Sequence, residues 1–218
     1  VDYELTDAQE AAILSAFDGQ FKDSTLVSVR ASTVGHILEE SEDSANNPFA
    51  GMSESFLYVP RYQVPEKIKQ CWGSGFSQES LIYRHAQDMN LLGFGVAVGV
   101  QEMVFGERSF VMFTADPKTA ARDQVLVAGY GIGEGVVQER VPVDHYFVSG
   151  KTGEIRKDIA EKKTRLTIDA VKGFGLMEAS VPEVDHEVSC LTDKEIAYLV
   201  SVGKQIEELF QGPQDIEG

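Results

Sequence analysis

Cysteine is almost absent. Cys71 and Cys190 are the only two in 218 residues, too few for a disulfide scaffold or a Cys-rich metal site. Cations are also scarce: 19 Lys and Arg stand against 35 Asp and Glu, a formal net charge of −16. That deficit argues against a nucleic-acid-binding face spread over the whole surface, although a local basic pocket for phosphate needs only a few cations. Long apolar runs are missing. The longest uncharged one, residues 91–100, has ten residues, three of them glycine, and is too short to span a bilayer. Val1-Asp2-Tyr3-Glu4-Leu5 carries neither the basic n-region nor the apolar h-region of a signal peptide. No nucleic-acid role, no membrane segment and a cytoplasmic location are therefore expected. The histidines, His36, His85, His145 and His186, form no His-x-x-x-His pair, so neither a histidine metal centre nor a Cys–His nucleophile has support. What is present is ordinary for a globular chain: 43% hydrophobic and 25% charged residues, with length enough for one unit of two lobes or two small domains.

Helix and strand signals divide the chain. Thr6 with Gln9 has capping-box spacing, and Ala12, Ile13, Ala16 and Phe17 then recur at helical period before Asp18-Gly19. Residues 25–30 alternate apolar and polar, as a half-buried strand does, and 55–59 read as a second strand. Pro65 suits the start of a helix carrying Ile68, Cys71 and Trp72 on one side. Ser77 can cap another that holds Leu81, Ile82, His85 and Met89. From Gly93 to about Arg165 the chain turns to β patterns, with strands expected at 95–104, 109–115, 124–129, 144–149 and 153–158. Thr192-Asp-Lys-Glu195 is a second capping box, and Ile196, Leu199, Val200, Gly203, Ile206 and Phe210 mark one apolar face. After Gly212-Pro213 an extended segment follows. The expected fold is α+β, two lobes with a cleft between them, one over residues 1–92 and the other over 93–218.

Three features could carry chemistry. Gly129-Tyr-Gly-Ile-Gly-Glu-Gly135 follows a strand, and glycines let backbone amides approach a phosphate. Its spacing is neither the Walker pattern nor a complete dinucleotide fingerprint, so a nucleotide role and a tight structural turn both fit. Pro48-Phe-Ala-Gly-Met-Ser-Glu-Ser55 sets a glycine and hydroxyls just before a strand, which suits a loop folding over phosphates. Asp215 and Glu217 fall on one side of a strand by its period of two. Paired carboxylates beside a phosphate chain are what Mg2+ binding needs.

Taken in order, these segments resemble the ATP-binding domain of the phosphoenolpyruvate synthase and pyruvate phosphate dikinase family, an ATP-grasp fold. The resemblance runs over about 24–217. It rests on Val29-Arg30-Ala-Ser-Thr-Val34, Glu42-Asp43, Phe49-Ala-Gly-Met-Ser-Glu-Ser-Phe-Leu57 and Val98-Gly-Val-Gln-Glu-Met-Val104 with Val111-Met-Phe-Thr114. It continues through Gly131-Ile-Gly-Glu-Gly-Val-Val-Gln138, Asp144 with Tyr146-Phe-Val148, Lys162-Lys163 and Pro213-Gln-Asp-Ile-Glu217. The resemblance implies that Arg30 contacts the ATP phosphates and is the catalytic residue, with Gly51 close to the phosphates and Ser55 supplying a hydroxyl. Gln101, Met103 and Val104 would line the adenine. Glu134 would organise the glycine loop or face the nucleotide, and Glu217 with Asp215 would hold Mg2+. It further implies ATP as substrate and, as partners, a phosphohistidine domain or subunit and pyruvate or another small acceptor bound elsewhere. The 1–92 lobe would then be a partial amino-terminal ATP-grasp lobe. The 93–218 lobe would be the carboxy-terminal one, cut short at its last strands.

Departures from the family pattern leave a second reading, a nucleotide-binding regulatory or non-catalytic fragment or subunit. A phosphate-binding lysine segment is expected before residue 1 and a Gln-x-Arg strand after Glu217. Gly218 replaces an aromatic residue, Met52-Ser53 replaces paired glutamines, and the Val104–Val111 loop is short and lacks Ser-Gly.

Overall fold

The structure, a computed structural model, describes residues 3–35, 54–91, 94–117 and 123–218. Two compact units emerge: Val1–Val104 with Ile168–Leu176, and Phe105–Thr167 with Met177–Gly218.

In the first unit, helix α1 (Asp7–Gln20) begins at the expected capping box. The Thr6 hydroxyl accepts from the Gln9 amide and the Gln9 side chain accepts from the Thr6 amide, which satisfies donors that the first helical turn leaves orphaned. Only Phe17 of α1 is buried; Ala12 and Ala16 are exposed, so the expected stripe is narrower than its periodicity. Arg61 ties the helix end down, donating through Nε and Nη2 to both Asp18 oxygens at 2.6 Å. The sheet has β1 (Val27–Gly35) at its centre, flanked antiparallel by β2 (Ser55–Val59) and β3 (Phe94–Glu102). Alternation decides the faces. Val27, Val29 and Ala31 point to one side, where Phe56, Val59, Val98 and Val100 join them against Val64, Ile68 and Cys71 of α2 (Val64–Ser74). Trp72, one helical step round from Cys71, is 36% exposed. In α3 (Gln78–Ala86) the buried large side chain is Arg84, over the Phe94 ring at 3.7 Å, whereas Ile82 is exposed and Met89 falls in the turn beyond the helix. Strand β3 lies past the expected break at 92/93, yet it pairs with β1 from Val27↔Glu102 to Gly35↔Phe94, and that ladder puts it in the first unit.

The second unit is a five-stranded antiparallel sheet in the order β10-β4-β5-β6-β7. Its strands are β4 (Arg108–Phe113), β5 (Gln124–Tyr130), β6 (Asp144–Val148), β7 (Ile155–Asp158) and β10 (Asp215–Glu217). Register aligns Ile216, Met112, Leu126 and Tyr146 in one cross-strand row. Helix α5 (Asp193–Phe210) covers this side with Ile196 and Val200, and Cys190 and Leu191 complete the core. The Thr192–Glu195 capping box forms as expected. Phe210 does not join the core; it is 65% exposed at the last turn, before Gln211 enters the left-handed region at φ 58. Two features have no counterpart in the sequence reading: the short helix α4 (Gly133–Val137), and the hairpin of β8 (Thr164–Ile168) and β9 (Leu176–Ser180). The hairpin's turn belongs to the first unit, where the Gly175 amide donates to the Tyr58 carbonyl at 3.0 Å. Among the described residues no helix is long and apolar enough to cross a membrane.

Candidate nucleotide site

Residues paired across a β-ladder share a face of the sheet. In the first unit Arg30 pairs with Ser55 on one side and Gly99 on the other, while Gln101 pairs with Ser28, two residues along β1. Arg30, Ser55 and Gln101 therefore lie on one face, the one opposite the α2 core. All three are exposed. A bulge in β2 sets this arrangement. Val27 pairs with Val59 but Val29 with Phe56, and Tyr58 takes φ 53 at the irregularity. That extra residue brings Ser55, and not Phe56, opposite Arg30. No carboxylate among the described residues forms an ion pair with Arg30. Gly99 beside it carries no side chain, and a Cβ there would meet only the Arg30 carbonyl oxygen, at 4.0 Å. Met103 and Val104 follow β3. The Met103 amide donates to the Leu26 carbonyl at 3.0 Å, and Val104 is 82% exposed. Gly51 lies outside the described residues. A separate cavity of about 580 Å3 runs along α2, lined by Tyr3, Lys69, Trp72 and Phe76 among others; none of the expected site residues lines it.

In the second unit Asp215 and Glu217 share the face opposite α5, because Ile216 between them turns to the core. Thr114 anchors the start of their strand: its hydroxyl accepts from the Gln214 amide at 2.8 Å and its amide donates to the Gln214 carbonyl at 3.0 Å. Desolvation raises the Asp215 carboxyl above its ordinary value although the residue keeps solvent access. The space a side chain at Gly218 would need is taken by Phe110, whose ring lies 2.6 Å from where a Cβ would stand.

The glycine loop lies on this same face. Gly129 stands two residues from Val127, which is in register with Val111 and so with Glu217. A Cβ on Gly129 would meet Val136 of α4 at 3.1 Å. Gly131 sits at φ +93, and a Cβ there would come within 2.2 Å of the Leu166 carbonyl oxygen. Gly135 is hemmed in by Val141 and Leu166, whereas nothing lies within 4 Å of a Cβ on Gly133. Three of these glycines are thus fixed by packing and one is open. Glu134 is half-buried and accepts from the side chain of Gln138, the residue that caps α4.

Sequence reasoning assigned no role to the buried group beneath this face. Asp144 and Lys162 are both fully buried and paired at 2.6 Å; their family match was visible, but their burial was not. Among the described residues no cluster of three or more His, Cys, Asp and Glu side chains could hold a metal ion. Asp215 and Glu217 do fit Mg2+ as a donor set, since that ion takes one or two carboxylates together with substrate phosphates.

A mixed α+β chain, with an exposed arginine and hydroxyl on one sheet face and paired carboxylates beside a glycine loop on another, is of the ATP-grasp type. The family described as "Pyruvate phosphate dikinase, AMP/ATP-binding domain" matches residues 2–217, and the chain belongs to it. A protein named probable phosphoenolpyruvate synthase from Pyrococcus horikoshii is 35% identical over 205 residues, covering 90% of this chain and 24% of its own length. Phosphoenolpyruvate synthase from Pyrococcus furiosus is 34% identical over 200 residues, 88% of this chain and 24% of the relative. Rifampicin phosphotransferase from Bacillus cereus is 36% identical over 180 residues, 81% and 20% respectively. The chain therefore spans about a quarter or less of the length of these curated relatives.

Proposed function

We propose that the chain is the ATP-binding module of a phosphotransferase of the phosphoenolpyruvate synthase and pyruvate phosphate dikinase kind. In this reading phosphate passes from ATP to a histidine on a partner domain or subunit, and from there to pyruvate or another small acceptor. The work occurs in the cytoplasm. The chemistry asks the protein mainly to position phosphates and offset their charge. Arg30 does this with a planar fork that can hold two phosphate oxygens at once. The Ser55 hydroxyl and the backbone of Gly51 orient the same group. Gln101, Met103 and Val104 receive the adenine, the last two through apolar contact. Asp215 and Glu217 would hold Mg2+, which when bound supplies neutralisation of phosphate charge. Glu134 shapes the glycine loop through Gln138. The two lobes of this reading are the two compact units, so that β3 belongs with the first and the break falls after Val104 rather than at 92/93.

The observation that carries this reading is Arg30. It is a cation with no ion-paired carboxylate among the described residues, flanked by Ser55 and Gly99, in a chain of net charge −16. Titration of Mg·ATP into the wild-type chain and Arg30→Lys tests it. Lysine keeps the charge and loses the fork, so a loss of about 1.5–3 kcal/mol, roughly tenfold or more in affinity, is expected. Equal affinity for the two proteins would remove Arg30 from the site.

A further inference from the structure

Asp144 opens β6, between β5 and β7, with no solvent access, and Lys162 meets it from the segment after β7. Lys162 Nζ donates to Asp144 Oδ1 at 2.6 Å and to the Ala160 carbonyl at 2.8 Å. The Ala160 amide donates to the same carboxylate oxygen at 3.0 Å. The other oxygen, Oδ2, accepts from the Cys190 amide at 2.7 Å and the Tyr146 hydroxyl at 3.0 Å. Such a pair is weak evidence of net stability, because two desolvated charges cost nearly what their attraction returns. It is strong evidence of a unique geometry, since every partner has one place to be.

What that geometry fixes is the path of the chain into β8. The Lys162 amide donates to the His186 carbonyl at 2.8 Å, and the Lys163 carbonyl accepts from the Val181 amide at 2.9 Å. Leu166, four residues past the buried ammonium, is 2% exposed. Its carbonyl accepts the Ile132 amide at 3.1 Å, and Gly131 bridges to it in parallel. The glycine loop is thus shaped against the Leu166 backbone, and the register of that backbone follows from Lys162.

We infer that the Asp144–Lys162 pair is a positioning device for the 131–135 loop, holding it in its nucleotide-competent shape without touching the nucleotide. This rests on the nucleotide reading of the loop. Sliding β8 by a fraction of a residue would separate the Leu166 carbonyl from Ile132; a buried carboxylate that already accepts four hydrogen bonds, one of them from Lys162, resists that slide.

The test uses the double variant Asp144→Asn with Lys162→Met, which removes both charges and leaves neither buried alone. Ile196→Val, a core trim in the same unit, is the comparison. Two quantities are read for each protein: amide hydrogen exchange at Ile132, and Mg·ATP affinity. The positioning role predicts that the double variant exchanges Ile132 about tenfold faster than Ile196→Val does, and binds ATP about tenfold more weakly. Ile132 exchange no faster than in Ile196→Val, or faster exchange with wild-type affinity, overturns the inference. Should the double variant fail to fold, Asp144→Asn with Lys162→Gln, which leaves no charge buried and keeps polar groups on both sides, is read against the same two criteria. If the wild-type chain binds no ATP, the nucleotide reading falls, and Ile132 exchange alone decides whether the pair positions the loop.

Discussion

Replacing Gly131 by alanine separates the structural glycine from the open one. Gly131 has φ +93, where an L side chain is strained by about 1–2 kcal/mol. Its new Cβ would stand 2.2 Å from the Leu166 oxygen, while real Cβ contacts essentially never fall under 3.0 Å, so the carbonyl must retreat by about 0.8 Å (3.0 minus 2.2). That retreat stretches the Ile132–Leu166 hydrogen bond, now 3.1 Å, and forfeits about 1 kcal/mol more. The sum is a destabilisation of about 2–3 kcal/mol. Gly133→Ala is the counterpart. Gly133 opens α4 with nothing within 4 Å of an added Cβ, so alanine there should leave stability unchanged or raise it by up to about 1 kcal/mol. Urea unfolding of both variants provides the measurement, with the midpoint falling at constant slope for Gly131→Ala. A Gly131→Ala protein within about 1 kcal/mol of wild type would refute the claim that packing demands this glycine.

Two further outcomes are expected. Burial pushes the Cys71 thiol up to about 11 and the Cys190 thiol up to about 12, the latter with help from Asp144. At pH 8 neither should react with a thiol reagent in the folded chain, and both should react once it is unfolded; rapid labelling of the native protein would contradict their burial. The amide and hydroxyl of Thr192 hold the Glu195 carboxyl below its ordinary 4.5. A lowered folded value means stability that is complete above 4.5 and lost as pH falls through that lower value. The stability difference between wild type and Glu195→Gln should therefore close on acidification over that range, and a difference independent of pH would remove the ionised cap.

Local order was readable without coordinates. Both capping boxes form where Thr6 and Thr192 announced them, because a cap is settled within four residues. The alternation of Val27, Val29 and Ala31 fixed one apolar face of β1, and with it the opposite face for Arg30. The ordered motifs from Arg30 to Glu217 carried the family, which the match over residues 2–217 bears out. Periodicity served less well on helices: α1 keeps one buried residue of its stripe, and Ile82 and Phe210 face outward. A hydrophobic period states which side could be covered and says nothing of how far the cover extends.

Tertiary structure decided the rest. That Ser55 faces Arg30 depends on a bulge at Tyr58, a one-residue shift that no local pattern in β2 reveals. That β3 joins the first unit depends on its ladder with β1, a pairing between segments some seventy residues apart in sequence, as the Ser28–Gln101 bond spans 73. That Asp144 and Lys162 lie fully buried, and that Gly131 answers to Leu166, follows from strands that meet only once the sheet and hairpin have formed. Amino-acid type and spacing determine what a segment can do by itself; burial, register and the partner of each polar group are properties of segments brought together.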